Sequence, residues 1–85
     1  MALRLSYFAW VRERMGRDGE SVVVPVEIAT IADLIGWLAA RDEAGAAAFA
    51  DPSRIRAARD NAMARLDSAI AGASEIALFP PVTGG

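Results

Sequence analysis

"TIADLIGWLAAR", Thr30 to Arg41, carries the strongest local signal in the chain. Thr30 is placed to cap a helix, Asp33 follows three residues later, and Ile31, Leu34, Ile35 and Leu38 recur at the i, i+3, i+4, i+7 spacing of one apolar face. This predicts an amphipathic helix whose stripe must be buried against another element. Gly36, in its interior, costs about 1 kcal/mol relative to Ala and is read as allowing close approach to a sheet.

The flanking segments supply that sheet. Upstream, "LRLSYFA" alternates, with Leu3, Leu5 and Tyr7 on one face and Arg4, Ser6 and Phe8 on the other. "AWVRERMGRDG" follows as a short helical turn that Gly16 or Gly19 can close, and "ESVVVPVEI" reads as a second strand that Pro25 confines to an edge or a bulge. Downstream, "DEAGAAAFADPS" predicts a short connecting helix stopped before Pro52, with Phe49 as its only large apolar residue. "IRAAR" and "AMARL" then form a hairpin around Asp60 and Asn61, "DSAIAGAS" is a loop that tucks Ile70 inward, and "EIALF" is the last strand.

One main helix serves a mixed sheet of about five strands, an economical burial solution for 85 residues. The expected class is therefore α+β with a β-grasp, ubiquitin-like layout. Residues 1–79 form the domain and residues 80–85 an extended, flexible Gly-Gly tail. In such a fold the first and last strands pair centrally, so the tail leaves from the middle of the sheet.

Composition narrows the chemistry. There is no Cys, no His and no Lys, which removes thiolate and imidazole metal ligands, thiol nucleophiles, disulfides and histidine-based triads. No metal site is expected. All nine basic residues are Arg and 19 residues are Ala, a pairing that fits a coding sequence rich in G and C. A net charge of −2 without a basic run gives no footprint for nucleic acid. With no long apolar stretch and no signal-peptide pattern, the expectation is a cytoplasmic protein without a membrane partner.

The end of the chain, "FPPVTGG", is unsuited to helix or strand. Six residues after Phe79 can span roughly 20 Å at about 3.3–3.6 Å each, enough to enter a partner's buried site. Glycine at a reacting carbonyl is slim and conformationally permissive, whereas Pro80 and Pro81 would stiffen the base of the tail and direct it outward. Gly-rich termini are also commonly no more than loose ends.

"FPPVTGG", together with "FAWVRE" at Phe8 to Glu13, the capped helix from Thr30 and the loop near Gly72, resembles the small subunit of molybdopterin synthase over nearly the whole chain. Asp60, where relatives often carry Asn, and Ser74, where they often carry Asp, depart from the pattern. The resemblance implies a sulfur carrier. A ubiquitin-activating-like adenylyltransferase would use ATP and Mg on the Gly85 carboxylate, and a sulfurtransferase would convert the adenylate to a thiocarboxylate. The tail would then deliver sulfur to cyclic pyranopterin monophosphate in the large synthase subunit, within a heterotetramer. No permanently bound cofactor is implied.

Gly85 is then the reacting residue, and Gly84, Thr83, Val82, Pro81, Pro80 and Phe79 contact the partner. Phe8 and Phe79 are each read as either core or docking surface. Arg12 and Glu13 match the family's charged pair or form a solvated turn, while Trp10 and Trp37 are assigned to packing. The same terminus suits a carrier for the thiamin thiazole or a ubiquitin-like modifier joined to target lysines.

Overall fold

Alternation near the N-terminus produces strand β1, Ala2–Tyr7, which buries Leu3, Leu5 and Tyr7 and leaves Ala2 and Arg4 exposed. The computed structural model describes residues 1–81. Helix α1, Ala9–Met15, follows at once and buries Val11 and Met15. Gly16 ends it at φ 74°, a left-handed conformation in which its N–H reaches the Arg12 carbonyl at 3.0 Å. Strand β2, Gly19–Val23, returns antiparallel to β1 along one edge of the sheet, with Pro25 just beyond it. The expected turn is a two-turn helix, but the hairpin-like return stands.

Helix α2 spans Ile31–Arg41 and is capped as its sequence predicts. Thr30 Oγ1 accepts from the Asp33 N–H at 3.1 Å, and the Asp33 carboxylate accepts from the Ala29 and Thr30 N–H groups at 3.1 and 3.2 Å. Ile31, Leu34, Ile35 and Leu38 are fully buried, each contributing about 1.5–3 kcal/mol of apolar transfer free energy. Asp42 ends α2 and begins α3, Glu43–Ala48, by accepting from the Gly45 N–H at 2.7 Å. Phe49 packs inward against Tyr7, with ring centroids 6.4 Å apart.

A 3₁₀ turn at Pro52–Arg54 leads into β3, Arg56–Arg59, which pairs antiparallel with β4, Ala62–Ala64. Asp60 and Asn61 connect them at φ 49° and 70°, the paired left-handed conformations that Asp and Asn tolerate best after Gly. Strand β5, Glu75–Phe79, lies parallel to β1 and antiparallel to β3. Among the described residues the order is β2-β1-β5-β3-β4, so β5 is central as expected.

Asp60 and Ser74, the two departures named above, meet in this fold. One Asp60 carboxylate oxygen accepts from the Ser74 and Glu75 N–H groups, both at 2.9 Å, and pins the start of β5. Arg59 holds the preceding loop through the Ala69 and Ala71 carbonyls at 3.1 and 2.6 Å, with Ile70 buried beneath.

The reading of Gly36 is corrected. It is exposed, and a Cβ built there meets nothing within 4 Å, so close approach to the sheet is not its role. Gly45 has that role instead: it is buried, and a Cβ there collides with the Leu38 carbonyl.

A polar bridge joins the sheet edge to α2. Glu20 on β2 accepts from Arg41 at 2.8 and 3.0 Å, from the Tyr7 hydroxyl at 2.7 Å and from Arg17 at 3.1 Å. Burial, reinforced by the Glu20 carboxylate, pushes the Tyr7 hydroxyl far above its ordinary range. Burial would also raise Glu20, but hydrogen bonds from Arg41 and Tyr7 and the nearby guanidinium charges hold it below its ordinary 4.5. A carboxyl depressed in the folded state stabilises fully above the unfolded value, and that stability is lost as pH falls through the folded one. Glu20→Gln is therefore expected to lower stability by about 1–2 kcal/mol at neutral pH, because it takes the two-bond carboxylate partner from half-buried Arg41 and leaves it paired with Asp42 at 3.2 Å. Urea melts at pH 7 and at pH 3 test this: the deficit must shrink in acid, where the wild type loses the same contribution.

Candidate functional site

The sheet has one face covered by helices and one left open. Register places Ser6, Ala77, Ala58 and Met63 in a row across the open face. Phe79 lies on the same face opposite Arg56, and Phe8, continuing the alternation past Tyr7, joins it. The Phe8 N–H donates to the Leu78 carbonyl at 3.2 Å, which fixes Phe8 beside the end of β5. Phe8 is 50% exposed, so it is not a core residue. Phe79 is half-buried, as are Pro80 and Pro81 after it.

These residues surround the place where the chain leaves the sheet. Val82, Thr83, Gly84 and Gly85 lie outside the described residues. What is described is therefore the root of the tail, an aromatic and proline step bordered by small side chains. Met63, 71% exposed on β4, extends that apolar surface and was not singled out from sequence. The alternation of "IRAAR" against "AMARL" across the Asp60–Asn61 turn could have found it.

Trp10 and Trp37 both pack partly buried against the core, as assigned. Arg12 and Glu13 are exposed on α1, a helix rather than a turn. A groove of about 380 Å³, bordered by Met1, Val26, Ile28 and Ile70, lies at the other end of β1 from the tail root.

The described residues offer no acid, base or nucleophile arranged for catalysis at this root. Among them no group of three or more metal-ligating side chains comes together, and no helix is long and apolar enough to cross a membrane. What they can do is anchor the root of the chain end on a central strand and present an apolar surface beside it.

A model of the ThiS family matches residues 5–85, nearly the whole chain. The chain belongs to the ThiS family. Among its relatives, the molybdopterin synthase sulfur carrier subunit of Escherichia coli is 32% identical over 83 residues, covering 98% of this chain and 99% of the relative. The Pyrococcus furiosus molybdopterin converting factor subunit 1 superposes with a TM-score of 0.73 at 25% identity, covering 96% of this chain and 99% of the other. SAMP1 from Haloferax volcanii superposes with a TM-score of 0.71 at 28% identity over 100% of both chains; its name is also given as small archaeal modifier protein 1. The fold of this ThiS-family chain is thus the β-grasp of these ubiquitin-like proteins.

Proposed function

We propose that the chain is the sulfur carrier of molybdopterin synthesis, with residues 1–79 as the docking domain, residues 80–85 as the delivery tail and the Gly85 carboxylate as the carrying group. The observation that carries this reading is the end-to-end match with the Escherichia coli sulfur carrier subunit. The central position of β5 supports it, because a strand hydrogen-bonded on both sides anchors whatever follows it.

A free carboxylate, ionised at neutral pH, is a poor acyl donor. Its oxygen attacks the α-phosphorus of ATP, held with Mg in an adenylyltransferase, and pyrophosphate leaves. A persulfide sulfur from a sulfurtransferase then attacks the acyl carbon and releases AMP; a thiol cleaves the resulting S–S bond and leaves the thiocarboxylate. Phe79, Pro80 and Pro81 direct the tail, Val82, Thr83 and Gly84 thread the channel of the large synthase subunit, and the sulfur passes to cyclic pyranopterin monophosphate. The acids and bases for these steps belong to the partners, as does any bound nucleotide.

Intact-mass measurement after incubation with ATP, Mg, the cognate adenylyltransferase and a persulfide donor tests the reading. Replacement of one oxygen by one sulfur, dependent on ATP, is the expected result. No shift, with the enzymes active on another carrier, would sink it. The likeness to the Haloferax modifier favours a second reading, in which activated Gly85 forms isopeptide bonds. Lysine-linked conjugates that survive thiol treatment would select that reading, and thiazole auxotrophy of a deletion strain would select the thiamin pathway.

A further inference from the structure

Two segments flank the end of β5. On the β1 side lies α1 with Arg12 and Arg14; on the β3 side the 3₁₀ turn and the start of β3 carry Arg54 and Arg56. Arg56 sits opposite Phe79, with Nη1 donating to the Ser53 and Ile55 carbonyls at 3.0 Å. Arg14 and Arg54 both lie over the Trp10 ring, at 4.5 and 5.4 Å from its centroid. All four arginines are exposed. The salt bridges among the described residues engage Arg17, Arg41, Arg59 and Arg65, and none engages these four.

Of the eleven carboxylates, only Glu13 and Asp51 fall in the same two segments, and Asp51 is taken up by the Ser53 N–H and hydroxyl at 3.1 and 2.6 Å. Four arginines against these two carboxylates, one of them already under the Arg54 charge, leave a net positive patch at the tail root of a chain whose net charge is −2. Two guanidiniums sharing one indole repel each other, and an external anion would relieve that repulsion.

We propose that Arg12, Arg14, Arg54 and Arg56 form a basic collar that docks on an acidic protein rim around the channel receiving the tail. The partner's identity rests on the sulfur-carrier reading; the collar rests on the placement of the arginines. An acidic protein fits better than a nucleic acid. A long polyanion extends past the collar and meets the net negative remainder of the chain, whereas a rim of tail-channel size lies within about one Debye length, ~8–10 Å, of the collar charges. Collar charges at the border of an apolar patch would chiefly set association rate and salt dependence.

The test uses the full chain with the cognate adenylyltransferase and, separately, the large synthase subunit, measuring affinity in low and high NaCl. Arg12→Glu/Arg56→Glu is expected to weaken binding to at least one of them about tenfold in low salt, with the difference closing in high salt. Arg12→Gln/Arg56→Gln should lie between it and wild type, which guards against a folding defect in the reversal variant. Ala32→Glu/Ala40→Glu, which changes net charge by the same amount as Arg12→Gln/Arg56→Gln but on the exposed side of α2, should bind like wild type.

Equal weakening by this last variant, an unaffected collar variant, or salt-independent or absent binding by the unaltered chain would overturn the collar. So would tight, salt-sensitive binding of single-stranded DNA in place of the proteins. Sulfur loading of the unaltered chain is read separately by mass, so a failed collar and a failed carrier assignment give different results.

Discussion

Deletion of Gly85 is expected to abolish sulfur loading while leaving the melting temperature of the domain unchanged. Among the described residues Leu78 is the last that is fully buried, and Phe79, Pro80 and Pro81 are only half-buried. Gly85 has no side chain to contribute to a core, so its loss is expected to leave the stability of the domain as it is. On the proposed function, however, the reacting carbon moves back by one residue, up to about 3.3–3.6 Å of chain, in a reaction where a displacement near 1 Å can cost about 10²-fold. Gly85→Ala should fall between the two, because a methyl group beside the acyl carbon restricts both the backbone and the fit in a narrow site. Leu78→Ala is the complementary control: it should cost about 2–5 kcal/mol of stability and impair loading only through unfolding. Intact mass and thermal melts on the three variants separate these effects. Sulfur loading of the shortened chain at the wild-type rate would place the carrying group elsewhere.

Much of this fold is written in short-range pattern. The Thr30–Asp33 capping box, the period of Ile31, Leu34, Ile35 and Leu38, and the Asp60–Asn61 hairpin each depend on residues within one or two turns of chain, and each forms where the sequence places it. Alternation in β1 likewise identifies the buried face. What was not legible depends on contacts far apart in sequence. Glu20 is an ordinary strand glutamate until the fold brings Arg41 to it, 21 residues away. The arginines at the tail root come from segments some forty residues apart, and nothing local marks them as neighbours. For the candidate site, the apolar part was half-legible: the alternation carried Phe8 outward, but Met63 and Arg56 needed the β3 register to place them beside it.

The glycines show most sharply where local reading stops, and they give a prediction of comparable size on stability. Gly45→Ala is expected to cost about 3 kcal/mol or more, despite the high helix propensity of alanine. Helix α3 packs so closely on the end of α2 that the new methyl group would meet the Leu38 backbone carbonyl, which cannot rotate away as a side-chain tip can. Relief requires α3 to move, which would disturb the Asp42 cap that accepts from the Gly45 N–H and the burial of Ala48 and Phe49 behind it. Gly36→Ala is expected to do the reverse. With open space around its Cβ and helical backbone, it should gain about 0.5–1 kcal/mol by reducing the freedom of the unfolded chain. For a domain of this size each kcal/mol shifts the melting temperature by about 4–8 °C, so the two alanines should move it in opposite directions by clearly resolved amounts. A Gly45→Ala protein that melts with the wild type would mean that α2 and α3 stand further apart, and the tight Asp42 corner joining them would have to be redrawn.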